Sequence, residues 1–586
     1  MRRRYVLLAA LALCGAAAFA ENRVVPGRFV IDPPTLENLG FRWYIDGDDN
    51  RNASVAVSYR RKGVREWQEA LPLLRVFREV ADQDYGPHTC GNLFAGSVLF
   101  LEPATTYEVR FVMRDPDGGA PPPRIVTVAT RGEPKAFAGG RQLHVYPEGF
   151  SGTRREPSYN GPMEAYDAAR PGDILLLHAG TYRAPDAWVL TKPGEAGKPI
   201  VWRGGIDGET VLEGAGHQTD LLNVQRADHL MFESLTLRRA RHAILAGNKH
   251  EPGASWLVVR HCRIADVIFG ITTTSEHSSN WYIADNVLTG LNPVWYPRPD
   301  VHYMSPSHTG INYYGRGNVV CYNRVSRFGD SAAPANFGPP LEDVELQPVS
   351  NDVYGNEFFC SQDDSLETDF GAHNFRVYRN RFYSGHTGVS VQPFYGGPVY
   401  IIRNEIYGVT ALTFKLHNYC TGILAYHNTA IAAGSGFQSF DRWQNGQFRN
   451  NLFLGARGLA MMTGTITDYS TMDYDGYRRN APGALIRWYD GRKRETYDSL
   501  EAFRQATGHE KHGVMVDYDI FVKAEPPSLG VTSDPAQYDL RLRPGAVAVD
   551  AGVRVPNVND HYRGKAPDLG CYEQGDALPR YGPRTP

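Results

Sequence analysis

The chain has 586 residues, of which 42% are hydrophobic and 21% charged, and its formal net charge is −3. This composition excludes a disordered chain, and the near balance of 61 basic and 64 acidic residues argues against a nucleic-acid-binding protein. The 60 glycines and 33 tyrosines are typical of many short strands joined by turns, so we predict an all-β protein.

Residues 1–20 have the pattern of an export signal peptide. Three arginines at positions 2–4 precede a short apolar stretch, and Ala18-Phe19-Ala20 fits a cleavage site. No later segment is apolar enough to span a bilayer. We therefore expect a secreted or periplasmic protein with no membrane span. Whether Cys14 in the signal is lipidated stays open.

Six cysteines follow the signal, without the spacing of a metal site. An oxidising compartment would permit disulfides, but we predict that most of these residues are small buried core residues. They are Cys90, Cys262, Cys321, Cys360, Cys420 and Cys571.

Residues 22–132 have the pattern of a separate β-sandwich. Short strand-like runs around Trp43 and at 54–59 and 109–112 are separated by turns. The segment 101–109, which contains Tyr107, resembles the tyrosine corner of fibronectin type III domains. The resemblance implies that the Tyr107 ring fills the core and that its hydroxyl binds the preceding loop.

From about residue 141 the pattern becomes that of a solenoid. A short amphipathic helix over 163–173 is followed by a strand and turn over 174–182. This pairing resembles the entry cap of secreted right-handed parallel β-helix proteins, and 538–573 resembles their terminal segment. A helical insertion over 499–508 precedes that segment. We expect the β-helix to occupy 141–575.

An Asn-x-apolar triplet supports the solenoid because it recurs at intervals of 37, 33, 24, 24, 24 and 22 residues. Cys262 lies 24 residues before the first triplet in the same frame. Asparagine suits a stacked turn because it tolerates the left-handed conformation and its amide can bind the next coil. The triplets begin at Asn286, Asn323, Asn356, Asn380, Asn404, Asn428 and Asn450.

The two long intervals contain insertions, which in solenoids cluster on one face, often the binding face. Residues 291–317 form an aromatic-rich loop in which Trp295, Tyr296 and Tyr303 are candidates for substrate binding. Residues 330–345 form a second loop, rich in proline, glycine and alanine.

The densest candidate chemistry is a run of four carboxylates over 363–369. Leu366 and Thr368 can point inward, which would place Glu367 and Asp369 on the outer face. Counting from the asparagines predicts that Asp330 and Asp363 are adjacent across coils.

Matching apolar residues at steps of 23 stacks Asp369, Gln392 and Lys415. We expect these polar side chains to converge on one exposed face. The set is Asp330, Asp363, Asp364, Glu367, Asp369, His386, Gln392, Lys415 and His417.

The arrangement resembles the polygalacturonase family of inverting glycosidases, with matches at Asp363-Asp364, His386 and Lys415. Asp330 is a positional substitute for a further family acid. The resemblance implies inverting hydrolysis of an acidic polysaccharide without a cofactor. Asp364 would be the acid, Asp330 or Asp363 the base, His386 would tune the pair, and Lys415 would bind the sugar.

An alternative uses the same residues. Parallel β-helix polysaccharide lyases hold Ca²⁺ with clustered carboxylates and remove a proton with Lys or Arg. Here Asp363, Asp364, Glu367 and Asp369 would form the calcium site and Lys415 would be the base. A third hypothesis is a non-catalytic glycan-binding or adhesin-type surface protein. If the protein is a hydrolase, the substrate-binding candidates on this face are Glu367, Asp369, Gln392 and His417.

Overall fold

The structure, a computed structural model, describes residues 21–84, 86–248, 251–275, 278–293, 306–334 and 338–585. The predicted export signal and the predicted binding residues Trp295, Tyr296 and Tyr303 lie outside the described residues. The regular structure is almost entirely β, which confirms the predicted class.

Helices are few and short in the described ranges. The α-helices are Pro162–Ala168 and Leu500–Thr507, and the 3-10 turns are Tyr518–Ile520 and Pro535–Gln537. Leu500–Thr507 begins after Ser499, whose hydroxyl accepts the Ala502 N–H, and ends at a left-handed glycine. None of the helices is long and apolar enough to cross a membrane.

The N-terminal strands form two antiparallel four-stranded sheets around one core. In spatial order, the first sheet contains Val25–Ile31, Leu39–Asp46, Asn92–Val98 and Leu74–Phe77. The second contains Arg124–Ala129, Thr106–Arg114, Ser54–Arg61 and Gln68–Ala70. A small hairpin joins Val80–Ala81 to His88–Thr89.

The contact implied by the tyrosine corner is present. The Glu102 N–H donates to the Tyr107 hydroxyl at 3.0 Å, and the Tyr107 ring is buried among both sheets.

From Gln142 the chain winds into coils whose strands stack in parallel along three faces, here called the first, second and third lanes. The first lane contains Ser158–Asn160, Gln142–Tyr146, Ile174–Leu177, Ile200–Arg203, Leu230–Glu233, Val258–Arg260, Tyr282–Ala284, Val319–Cys321, Asp352–Tyr354, Phe375–Tyr378, Val399–Ile402, Ile423–Tyr426, Gln447–Arg449 and Thr471–Asp473.

Two long strands, Thr236–Leu245 and Arg263–Thr272, run through the second lane into the third. The rest of the second lane contains Gly180–Arg183, Thr210–Gly216, Val287–Thr289, Arg324–Ser326, Glu357–Phe359, Arg381–Tyr383, Glu405–Val409, Thr429–Ala432, Leu452–Gly455, Gly476–Tyr477 and Val514–Met515.

The rest of the third lane contains Trp188–Leu190, Leu222–Val224, Thr309–Tyr313, Asp330–Pro334, Asp364–Glu367, Thr387–Val391 and Leu412–Leu416. A further sheet of Phe437–Trp443, Met461–Thr465, Ile486–Tyr489 and Arg494–Tyr497 continues beyond Leu412–Leu416.

A ladder of buried asparagines marks the turn after the first lane. Each amide binds the next, from Asn286 Nδ2 to Asn323 Oδ1 at 2.9 Å through to Asn428 Nδ2 to Asn451 Oδ1 at 2.9 Å. The prediction that Asn450 belongs to this ladder is wrong by one residue. Its amide instead donates to the Val553 carbonyl and contacts His427. The adjacent Asn451 carries the ladder.

Two parts of the chain cover two of the lanes. The sandwich packs on the outer face of the first lane, where the Asn38 amide donates to Asp352 at 2.7 Å. The C-terminal segment, which includes the hairpin Phe521–Lys523 and Asp539–Leu542, packs on the outer face of the second lane. The regular coils therefore end at Val514–Met515, earlier than the predicted boundary at 575.

Both insertions border the third lane, but neither is wholly a loop. Thr309–Tyr313 lies inside the predicted loop 291–317 as a strand, and Tyr313 is fully buried in the coil core. Asp330–Pro334 likewise forms a strand at the start of the predicted loop 330–345. The six cysteines are buried and free, which confirms their prediction as core residues.

Candidate active site on the third lane

Three aspartates gather where third-lane strands begin. Asp330 and Asp364 are the first residues of their strands, and Asp363 immediately precedes Asp364. One carboxylate oxygen from each of the three lies within 4.8 Å of the others. Asp330 Oδ1 also accepts the Asp364 N–H at 3.1 Å. Uncompensated carboxylates this close repel one another strongly.

The detailed pairing across coils differs from the prediction. Ala332 pairs with Leu366, a register that places Asp330 beside Asp364 rather than beside Asp363. The chain takes seven residues from Asn323 to Asp330 but eight from Asn356 to Asp364. One extra turn residue therefore shifts the alignment, although Asp363 stays within the cluster.

Lys415 points its ammonium group into this cluster. Its Nζ lies 2.7 Å from Asp364 Oδ2, and its side chain is 18% exposed. Lys415 pairs with Ser390, which pairs in turn with Glu367. The predicted stack of Lys415 on Gln392 and Asp369 is therefore wrong.

The reason is again the length of a turn. Leu366 pairs with Val389 as predicted, but Val389 pairs with Phe414 instead of Leu412.

Asp369 is buried rather than exposed on the outer face. The strand ends at Glu367, so the two-residue alternation assumed for Asp369 does not extend that far. Asp369 Oδ1 accepts the Ser390 hydroxyl and the Gln392 N–H, each at 2.8 Å. Glu367 is partly exposed, and Asp369 is bound by its neighbours beside the three-aspartate cluster.

Burial and mutual repulsion dominate the electrostatics. Burial, followed by repulsion from Asp363 and Asp364, raises the pKa of Asp330 well above its usual range. Burial and nearby aspartates likewise raise the pKa of Glu367. Burial raises the pKa of Asp369 to about 7 although Lys415 opposes the shift.

Lys415 responds in the opposite sense. Burial disfavours its charge, but the surrounding carboxylates, Asp364 first, outweigh that effect and raise its pKa. The ammonium form is therefore strongly favoured while those carboxylates are ionised.

The donor set suits a hard divalent cation. The three clustered side chains offer oxygen atoms, and Asp364 Oδ1 is buried without a hydrogen-bond partner. Two further buried oxygens, Gln362 Oε1 and Gln392 Oε1, are also unpartnered. Ca²⁺ prefers several carboxylate and amide oxygens, so these residues fit it better than a metal that favours nitrogen or sulfur.

Of the two predicted histidines, one lies beside the cluster. His386 Nδ1 is 4.0 Å from Asp363 Oδ1, so the predicted proximity to the aspartates is present. His417 lies farther along, where its ring packs 3.9 Å from that of Phe440. Burial lowers the pKa of His417, and its Nδ1 has no hydrogen-bond partner.

Sequence reasoning missed two residues of this face. Ser390 binds Asp369, and Phe440 exposes 42% of its surface beside His417. The alignment of apolar residues placed Val389 correctly. Because Ser390 directly follows Val389 in the strand, its outward position could have been predicted from that alignment. Phe440 lies in a segment with no motif, and nothing in its neighbourhood singled it out.

Comparison with known proteins gives distant but extensive matches. No family model matches the chain. Pectate lyase L of Dickeya chrysanthemi is 21% identical over 457 residues, which cover 74% of this chain and 91% of that protein. Pectate lyase L of Dickeya dadantii (strain 3937) is 21% identical over 455 residues, with the same coverage. The predicted resemblance to pectin-degrading enzymes is confirmed, and neither relative is named as a glycoside hydrolase.

Two solved structures are also similar. Pectate lyase Pel9A shares 15% identity, with 74% of this chain and 97% of that chain covered and a TM-score of 0.42. A mannuronic acid-specific family 6 polysaccharide lyase from human gut microbiota shares 14% identity, with 64% and 91% covered and a TM-score of 0.32.

Proposed function

We propose that this protein is an exported, calcium-dependent polysaccharide lyase that cleaves a uronate-containing polysaccharide by β-elimination. The observation that carries the proposal is the position of Lys415 against the aspartate cluster. A potential base lies 2.7 Å from Asp364, whose other oxygen is buried and unpartnered. The names of the two pectate lyase relatives support the same chemistry.

Asp330, Asp363 and Asp364 are the residues that would hold the ion. When bound, Ca²⁺ would compensate their charges and that of the substrate carboxylate, which acidifies the α-proton of the uronate. Asp369 already accepts hydrogen bonds from Ser390 and Gln392, so its proposed role is to hold the strand that precedes Lys415 in the third lane in position.

Lys415 would act as the base in its neutral form. Its Nζ would take the proton from the carbon next to the carboxylate. The electrons of that C–H bond would form the new carbon–carbon double bond, and the glycosidic oxygen would leave and gain a proton. Burial of Lys415 favours the neutral amine, so the base becomes available once the neighbouring negative charges are compensated.

Inverting hydrolysis, the first preference from sequence, is less well supported. An inverting pair needs about 6.5–9.5 Å between its carboxyl groups to hold the attacking water. The closest oxygens of Asp330, Asp363 and Asp364 lie within 4.8 Å of one another. That spacing suits shared binding of a cation better than a water between acid and base.

The deciding experiment incubates the full-length protein with a panel of acidic and neutral polysaccharides, with and without EDTA. We expect an unsaturated, ultraviolet-absorbing product from a uronate polymer, lost with EDTA and restored by added Ca²⁺. New reducing ends without that absorbance would instead establish hydrolysis. Binding without any product would establish a glycan-binding protein.

A further inference from the structure

A cavity lies away from the aspartate cluster. It has a volume of about 710 Å³ and is lined by the sandwich, the turns after the first lane and the C-terminal segment. That volume is within the range typical of ligand sites, about 300–1,000 Å³. Its wall includes Tyr59 and Phe100 of the sandwich and Tyr562 of the C-terminal segment.

Two arginines of consecutive coils line this cavity. Arg379 and Arg403 each follow a first-lane strand and directly precede an asparagine of the ladder. Both have a positive φ of 52°, and their backbone N–H groups bind the next coil at 3.0 Å. The same backbone geometry in adjacent coils therefore brings two guanidinium-bearing side chains to one wall.

In the part of the chain that the structure describes, neither arginine forms a direct ion pair, although Glu37 lies near Arg379, and Glu573 and Asp576 lie near Arg403. Within the described ranges, no carboxylate oxygen lies within 4.0 Å of either guanidinium. Arg403 Nη1 donates to the Cys571 carbonyl at 3.4 Å, and the Arg379 guanidinium lies 4.7 Å from the centre of the Phe100 ring.

The other charged residues of the cavity wall already have partners. Arg554 pairs with Glu69 and Asp560 at 2.8 Å each. Glu573 accepts two backbone N–H groups, those of Arg563 and Asp568. Burial, followed by repulsion from Arg379, lowers the pKa of Arg403, although Glu573 and Asp576 oppose the shift.

We propose that this cavity is a second, non-catalytic site for an acidic oligosaccharide, whose carboxylates bind Arg379 and Arg403. Guanidinium groups bind carboxylates through paired, charge-assisted hydrogen bonds. The aromatic wall would pack against the apolar faces of the sugar rings. The proposal rests on the proposed function only for the choice of an acidic sugar as ligand.

The test uses the full-length Lys415→Ala variant in EDTA, which removes catalysis and calcium-dependent binding. Calorimetry would measure the binding of a uronic acid trisaccharide, with a neutral trisaccharide, inorganic sulfate and inorganic phosphate as further probes. We expect one site for the acidic trisaccharide, with at least tenfold weaker binding of the neutral one and of both ions.

Arginine variants then locate that site. Arg379→Gln and Arg403→Gln should each weaken binding about tenfold, and the double variant should abolish it. Arg457→Gln removes an exposed arginine outside the cavity and is the matched control, which should bind as the parent does.

The variant Ala577→Glu tests binding at the cavity without changing a buried residue. Ala577 is exposed at the cavity wall, so a new negative charge there should weaken binding severalfold at low salt.

Three outcomes would overturn the proposal: no binding, binding that survives the double variant, or sulfate or phosphate binding as tightly as the sugar. Lyase activity is measured separately on proteins that retain Lys415. In these, Arg379→Gln and Arg403→Gln should leave the cleavage of short oligosaccharides unchanged, so failure of this site and failure of the proposed function are distinguishable.

Discussion

Two stacks of buried polar side chains run along the same solenoid, and they differ in how completely they are satisfied. In the asparagine ladder, Asn380 accepts from Asn356 and donates to Asn404 and to the Val353 carbonyl. On the third lane, Asp364 leaves one buried oxygen unpartnered and Asp330 has a raised pKa. The ladder stabilises the coil, whereas these two carboxylates of the third lane lack enough partners among the described residues and are suited to binding a cation.

The largest expected effect is on catalysis at Lys415. Lys415→Ala should reduce kcat by about 10²–10⁴-fold, because it removes the proposed base. Lys415→Met also removes the proposed base but keeps an unbranched side chain of similar length, so it should lose as much activity. Steady-state kinetics on a uronate polymer would measure both.

The control for the Lys415 variants is a substitution in the asparagine ladder. Asn380→Ala should leave kcat unchanged when it is assayed well below its unfolding temperature. Activity in Lys415→Met close to that of the unmodified protein would contradict the assignment of Lys415 as base.

The second effect is on stability at the ladder. Asn380→Ala removes hydrogen bonds to both adjacent coils and leaves buried groups unpaired, which should cost about 2–4 kcal/mol of unfolding free energy. Denaturant unfolding would measure this loss. A loss below about 0.5 kcal/mol would mean that the coils hold together without the ladder.

The third effect is stabilisation by calcium. If the aspartate cluster binds Ca²⁺ in the folded state alone, a concentration 100 times Kd should stabilise the protein by about 2.7 kcal/mol. Asp363→Asn should weaken this effect, and calorimetric titration with Ca²⁺ would give the change in Kd. Asp517→Asn, at an exposed aspartate outside the cluster, is the control. Equal stabilisation in both variants would place the ion elsewhere.

The smallest effect is the pH dependence at the last rung of the ladder. Asp475 accepts from Asn451 and neighbours Glu510, and burial raises the pKa of Asp475 to about 7 and that of Glu510 well above its usual range. Between about pH 4 and 7 the folded protein therefore binds more protons here than the unfolded chain. Stability from this pair should be greatest below that window and fall as the pH rises through it.

Glu510→Gln should flatten that fall, as measured by denaturant unfolding across the same pH range. The exposed Glu525→Gln is the control and should leave the slope unchanged. A steeper fall in Glu510→Gln would contradict the proposed linkage.

The sequence predicted features that repeat in every coil and failed where the coils differ. Stacked asparagines and apolar residues impose the same geometry in each turn, so the β-helix and the face of Asp330, Asp363, Asp364 and Lys415 could be predicted. A longer turn changes the register without changing the pattern. One extra residue shifted the partner of Asp330 from Asp363 to Asp364, and two extra residues shifted the partner of Lys415 from Gln392 to Ser390.

Some errors had a different origin. Asn450 and Asn451 both fit the ladder motif, and only the three-dimensional contacts decide between them. Thr309–Tyr313 lies inside the first long interval and does not follow an asparagine triplet, so its strand could not be recognised by periodicity.

The buried cysteines make this chain an intrinsic reporter of its own opening. All six are free, and burial raises the pKa of Cys360 to about 11 and that of Cys262 to about 12. A thiol reacts as the thiolate, so alkylating reagents should reach these groups only when a coil separates from its neighbours. Cys262, Cys321, Cys360 and Cys420 lie in different coils, so their labelling rates would show where the solenoid first comes apart.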